Sequence, residues 1–339
     1  MSQKPTYLAG VGTALPGKPV DNTELGRHFG VSDEWVDIFV GTRTRHFARD
    51  LETGEVRYRL ADLCAEAGHW ALESSGLSGA DMDFLVVSST TPDTLLPTTA
   101  AEVADTLQFN HLPVYQVQAG CSGAVQVLEL GRSLIAAGHR HGLVIGGDVT
   151  SKHLDVRKNI SRLPTDELVN YVLFGDGAGA AVLSAEPAGE RVALRAVLNR
   201  FTGRGRPTGQ VVDWYGAADR DTERPMLYED YKAIEESLPQ MSVEILWELL
   251  DGLGWSAADI DYLLPPQLSG RMTQRIVDHL GIEGVKEVSC VDRTGNTGNA
   301  MPFLQLAELM PQLQEKERAL AIVVESSKWI KAGLALERV

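Results

Sequence analysis

Short apolar runs alternate along this chain with longer stretches whose apolar positions recur at helical spacing. Leu8–Gly12, Phe84–Ser88, Pro113–Gln118, Gly142–Gly146 and Gly177–Leu183 read as buried strands. Helical patterns cover about Arg59–Ser75, Thr98–Leu107 and Cys121–Ala137. Ser32-Asp33-Glu34-Trp35 predicts a helix start, with Ser32 as N-cap and acids in the first turn. Cys64 falls in a helix pattern and Cys290 in a strand pattern. Strands alternating with helices predict an α/β architecture with covered sheets.

One pattern occurs twice. Gly76-Leu77-Ser78-Gly79-Ala80-Asp81-Met82-Asp83-Phe84-Leu85-Val86 resembles the stretch from Leu253 through Asp259-Ile260-Asp261-Tyr262 to Leu264, with Asp259 standing 178 positions after Asp81. A helix end, a short loop and an entering strand recur in each half, which predicts a duplicated α/β unit. The seam is expected near Ala185–Gly189, giving halves 1–185 and 186–339. The Gly-, Arg- and Asp-rich stretch from Thr202 to Arg224 reads as a long surface loop.

The length of 339 residues, with 44% hydrophobic and 23% charged positions, supports a large soluble core. No apolar run approaches the ~20 residues of a membrane helix, and the N-terminus lacks a basic-then-apolar leader. A net charge of −15 disfavours nucleic acid and anionic lipid as partners. Three cysteines, none spaced as CxxC, argue against a disulfide framework or structural zinc and fit a reducing cytoplasm. The histidines show no paired metal spacing, so no metal is expected.

Gln118-Ala119-Gly120-Cys121-Ser122-Gly123 sits between a strand and a helix, and small neighbours leave the sulfur approachable. A cysteine at a helix N-terminus meets unpaired N–H groups and the positive end of the dipole, which favour thiolate. A buried, inert cysteine is the alternative.

Four motifs in order resolve that choice by resemblance. Ser32–Trp35 with Gly41-Thr42-Arg43-Thr44-Arg45-His46, Ala119–Gly123, Phe174-Gly175-Asp176-Gly177-Ala178-Gly179-Ala180 and Asp292-Arg293-Thr294-Gly295-Asn296-Thr297-Gly298 resemble segments of the thiolase superfamily, in its β-ketoacyl-acyl-carrier-protein synthase III branch. The resemblance implies a five-layered αβαβα thiolase fold from two similar halves, a homodimer and an acyl-thioester intermediate on Cys121. Cys121 would belong to the first half and Asn296 to the second. It implies an acyl-carrier protein or coenzyme A thioester as substrate, with no bound cofactor.

The chain departs from that pattern in places. Where the family's histidine belongs, Leu264-Pro265-Pro266-Gln267-Leu268-Ser269 carries Pro266, which can neither donate nor take a proton. Ser326-Ser327-Lys328-Trp329 matches the glycine-rich oxyanion loop, with Lys328 near the position of the donor glycine. Leu96 stands where a ring often limits the acyl chain, and Phe39 where a cation often grips the nucleotide. Arg271 and Arg275, one turn apart, match either a carrier-docking patch or a solvated helix face. His153 is a candidate replacement base, with Lys328 and Glu325 behind it. Losing one of two enolate donors typically costs ~10²–10³-fold. The expected activity is therefore acyl transfer through Cys121 to a hydroxyl, amine or thiol, without decarboxylation, in natural-product biosynthesis. A decarboxylative condensing enzyme and a non-catalytic partner subunit are the alternatives.

Overall fold

The apolar runs become strands of one ten-stranded sheet. The computed structural model describes residues 5–155, 160, 163, 165–214 and 227–339. The first half contributes β1 (Tyr7–Ala14), β2 (Leu85–Ser88), β3 (Val114–Val117), β4 (His141–Asp148) and β5 (Gly177–Ser184). The second contributes β6 (Val192–Phe201), β7 (Tyr262–Leu264), β8 (Lys286–Glu287), β9 (Arg318–Glu325) and β10 (Ile330–Arg338). Their spatial order is β8-β7-β9-β10-β6-β1-β5-β4-β2-β3.

The two blocks repeat one topology. β2 lies parallel between β3 and β4, and β5 runs antiparallel to β4 and β1. In the same way β7 lies parallel between β8 and β9, and β10 runs antiparallel to β9 and β6. The blocks join where Tyr7 pairs with Ala193 and Leu8 with Val192. The sequence repeat is one turn used twice. Gly76 and Gly254 end their helices at φ 70° and 66°, a left-handed geometry glycine adopts without steric cost. Ser78 with Asp81, and Ser256 with Asp259, then close matching capping boxes.

The helices are α1 (Asn22–Phe29), α2 (Asp33–Phe39), α3 (Leu60–Ser75), α4 (Thr99–Thr106), α5 (Gly123–Ala137), α6 (Thr165–Leu173), α7 (Tyr231–Leu253), α8 (Gly270–Leu280), α9 (Val291–Thr294) and α10 (Met301–Leu309). α3 and α4 cover the outer face of the first block, and α7 and α8 that of the second; α5 and α10 fill the space between blocks. This is the expected five-layered αβαβα arrangement of a thiolase fold. The central core draws Phe84, Leu128, Val144, Tyr262, Phe303 and Leu334 from both halves. Burying such side chains is the main driving force for joining the halves.

Ser32 caps α2, accepting from Trp35 N at 3.1 Å. Two local expectations change. Cys290 precedes α9 as its cap residue rather than lying in a strand. Within the expected surface loop, Gln210–Val212 pairs antiparallel with Leu227–Glu229, while residues 215–226 lie outside the described residues. No helix among the described residues is long and apolar enough to cross a membrane.

Candidate active site

Cys121 occupies the sharp turn between β3 and α5, closed by Gly123 N donating to Gly120 O at 2.9 Å. The preceding Ala119 carbonyl is held by Thr90 Oγ1 at 2.8 Å and Asn299 Nδ2 at 3.0 Å. Behind the turn lies Asp148. Its Oδ1 accepts from Ser89 Oγ, Thr90 N, Thr91 N and Thr91 Oγ1. Its Oδ2 accepts from Asn299 N at 2.9 Å and Asn299 Nδ2 at 2.8 Å. Burial raises the Asp148 carboxyl against these hydrogen bonds, which oppose the shift.

The helix terminus does not serve the thiol in the expected way. Buried Glu325, at the end of β9, accepts from Ser122 N at 3.2 Å and from Ser122 Oγ. A carboxylate thus occupies the positive end of α5. Burial first, then the Glu325, Asp148 and Glu229 carboxylates, push the Cys121 thiol up. Burial and these carboxylates thus oppose the thiolate that the helix start was expected to favour. Cys64 and Cys290 are fully buried, and burial pushes both thiols up, Cys290 to about 12.

Asn296 comes from the second half. Gly175 N donates to Asn296 O at 3.0 Å and Asn296 N to Leu173 O at 2.9 Å, with Phe174 and Asn296 forming a parallel bridge. The Phe174–Gly179 motif therefore holds the asparagine segment. Buried Arg45 supports the same place by donating to Val172 O at 2.9 Å. Asn296 Oδ1 accepts from Gly298 N at 3.0 Å, and among the described residues no acceptor takes its Nδ2 group.

A cavity of about 370 Å³ reaches Cys121 and Asn296 from the surface, within the range of small-molecule sites. Phe39, Arg271 and Arg275 line its wall. A smaller void behind it is lined by Cys121, Asn296, Pro266 and Gln305. Neither lining includes a histidine among the described residues. Beside Pro266, the Gln267 side-chain Oε1 accepts from Cys290 N at 2.8 Å and Val291 N at 2.9 Å, which fixes the segment.

Other sequence candidates stand apart. Lys328 is exposed, its Nζ donating to Arg206 O; Ser326 of the same loop lines the cavity instead. His153 lies in a different cavity with Arg49, Lys152 and Trp214, so it does not reach Cys121. Its imidazole is lowered to about 4 by burial, Lys152 and Arg49. Leu96 is 82% exposed and lies outside the cavity lining. Arg271 donates to Asp37 O at 3.1 Å, and Arg275 sits 3.8 Å from Glu235. Sequence reasoning missed Asp148, Asn299 and Glu229. Asp148 closes a strand and Asn299 lies just past the asparagine motif, which are the local signals available.

The family described as 3-oxoacyl-[acyl-carrier-protein] synthase III matches residues 115–199, and its C-terminal part matches residues 250–326. The β-ketoacyl-[acyl-carrier-protein] synthase III 3 of Streptomyces coelicolor is 35% identical over 301 residues, covering 87% of this chain and 85% of that one. Among solved structures, the tetronic acid condensing enzyme AbyA1 is 49% identical with a TM-score of 0.95, covering 98% of this chain and 99% of its own. The 3-oxoacyl-(acyl carrier protein) synthase III of Pseudomonas aeruginosa PAO1 is 28% identical with a TM-score of 0.82, covering 98% of each chain.

Proposed function

The chain belongs to the 3-oxoacyl-[acyl-carrier-protein] synthase III family, and from that premise we propose that it is an acyltransferase working through Cys121 without decarboxylation. The acyl donor is a carrier-protein or coenzyme A thioester, which enters as substrate rather than as a bound cofactor. The Cys121 sulfur attacks the thioester carbonyl, the carrier thiol leaves with the proton, and the acyl group stays on sulfur. Asn296 donates its amide to the reacting carbonyl. An acceptor hydroxyl then attacks the acyl-enzyme.

The observation that carries this reading is the void shared by Cys121, Asn296 and Pro266, which no imidazole lines among the described residues. Pro266 stands at the family's histidine position in this proposal. An enolate made by decarboxylation would have lost one of its two stabilising donors. The likeness to a tetronic acid condensing enzyme supports a hydroxyl acceptor among the three classes considered. A tetronic acid ring is a lactone carrying a 1,3-dicarbonyl. It forms when a β-ketoacyl thioester acylates the hydroxyl of a 2-hydroxyacyl thioester and the carbon between its two carbonyls closes onto the second thioester. Two thiols leave and no carbon dioxide does. That carbon is acidified by its own second carbonyl, so its closure places less demand on protein donors.

Intact-protein mass spectrometry after incubation with acetoacetyl-CoA tests the first step. The wild type gains one acyl mass and Cys121→Ala gains none; equal gain in both ends the mechanism. Carboxyl-labelled malonyl thioester separates the decarboxylative alternative, because labelled carbon dioxide released with product would establish it.

A further inference from the structure

The acceptor hydroxyl must lose a proton, and several candidate bases in and around the site are spoken for or elsewhere. His153 is in another cavity. Both Asp148 oxygens are filled by donors. Glu325 accepts from Ser122 on one oxygen and from Ser327 Oγ on the other. Glu235 sits opposite Arg275 and is exposed.

Glu229 differs from all of these. It lies on the short ribbon formed by Gln210–Val212 and Leu227–Glu229, directly opposite Gln210. The ribbon is fastened to the loop above Cys121 by Gly209 N donating to Ser326 O at 3.2 Å, and to the start of α7 by Asp230 N donating to Gly209 O at 2.8 Å. Glu229, Gln210 and Ser326 line the cavity that ends at Cys121. Gln210 Nε2 donates to Glu229 Oε1 at 2.5 Å. Oε2 is buried and has no partner, and among the described residues it is the only carboxyl oxygen in that condition. A buried carboxyl oxygen without a donor carries a desolvation cost that a proton or a bound hydroxyl would remove.

We propose that Glu229 is the general base of the transfer step, taking the proton of the acceptor hydroxyl and returning it to the Cys121 sulfur. This rests on the acyl-enzyme reading above. The hydroxyl oxygen forms a bond to the acyl carbon as its proton passes to Oε2. The tetrahedral intermediate then breaks its carbon–sulfur bond, and the thiolate regains the proton from Glu229. An ester and a free thiol result, with Glu229 restored to a carboxylate. Burial raises the Glu229 carboxyl, opposed by the neighbouring Tyr231 hydroxyl and Gln210 amide, and a raised carboxyl is a better proton acceptor. The other ionisable groups facing this cavity are Cys121, Tyr231, Glu235, Arg271 and Arg275. Tyr231 is anchored through its hydroxyl to Asn170 Oδ1 at 2.7 Å.

The test separates the half-reactions in the full-length enzyme. Wild type, Glu229→Gln and Glu229→Asp are first acylated with acetoacetyl-CoA. The isolated acyl-enzymes then receive glycolyl-pantetheine thioester, and acceptor-dependent loss of acyl mass is followed in a single turnover. Counting only acylated molecules removes any unfolded fraction from the rate. Glu229→Gln is expected to acylate at least as fast as the wild type, because one charge opposing the thiolate is gone, and to transfer roughly 10²–10⁴-fold more slowly. Glu229→Asp should recover part of the rate. The acidic limb of the wild-type transfer profile should vanish in Glu229→Gln. Transfer by Glu229→Gln at the wild-type rate overturns the assignment alone, as does loss of acylation in step with transfer. A wild type that never gains acyl mass overturns the acyl-enzyme reading and the assignment with it.

Discussion

The proposed nucleophile sits among carboxylates that oppose its ionisation. Cys121 feels Glu325 more strongly than any other charge, with Asp148 and Glu229 behind it. Because the free thiol is pushed up, only a small thiolate fraction exists near neutral pH, and alkylation should accelerate steadily from pH 7 to 9 without a plateau. Replacing Glu325 by Gln removes the largest charge opposing the thiolate while retaining one acceptor for Ser122. At fixed pH, iodoacetamide should then modify Cys121 faster, by roughly three- to tenfold. The readout is clean because Cys64 and Cys290 are fully buried. An unchanged or slower rate for Glu325→Gln would mean that Glu325 stabilises the turn without controlling the sulfur. The same residue shows what the local sequence could not reveal about the thiol's surroundings. The turn and helix start are contiguous and readable, whereas the carboxylate that occupies the helix end lies 203 positions from Ser122.

At the scale of elements, the first residue of α5 sets how closely the nucleophile turn packs on the second half. A Cβ on Gly123 would stand 1.8 Å from Asn299 Oδ1 and 2.8 Å from Ser88 Oγ. Ser88 Oγ donates to that same Asn299 oxygen at 2.8 Å, and Asn299 also holds Asp148 and Ala119 O. Gly123→Ala should therefore destabilise the protein by about 1–3 kcal/mol and depress acylation of Cys121. Gly252, in α7, meets nothing within 4 Å. Gly252→Ala should be neutral or stabilising by up to about 1 kcal/mol. Urea denaturation midpoints compare the two, and equal shifts would refute the packing argument. Elements of this kind were legible where their cause is local. Strand runs, the Ser32 cap and the twice-used Ser–Asp turn follow from neighbouring residues. The Asp148–Asn299 pair spans 151 positions and exists only because α5, β4 and the asparagine segment converge. Cys290 looked strand-like because its apolar neighbours are buried, but they are buried beside a one-turn helix.

The ten-strand order ends in two edge strands, the two-residue β8 and the longer β3. β3 ends the ten-strand order, and a terminal strand presents unpaired N–H and C=O groups. Val114 and Tyr115 on that strand are 37% and 41% exposed. The adjoining segment before α4 exposes Leu95 and Leu96, and α4 itself is tied to the edge by Ala100 N donating to Gln116 Oε1 at 2.9 Å. An edge strand beside exposed leucines suits a second copy of this chain, because antiparallel pairing of β3 with itself satisfies both strands about a twofold axis. The wild type should therefore sediment at twice the chain mass. Tyr115→Lys, which sets like charges against each other across that axis, should shift it toward the monomer. In such a dimer Leu96 would connect assembly with chemistry. It lies outside its own chain's cavity, so the acyl-pocket role expected for it requires the partner's surface. Acyl-length preference, measured as the rate of Cys121 acylation by a series of acyl-CoA thioesters, should respond to Leu96→Ala in the dimer and not in the Tyr115→Lys monomer. Monomeric wild type, or equal responses in both backgrounds, would remove Leu96 from the acyl site and leave the length limit to the residues around Cys121 alone.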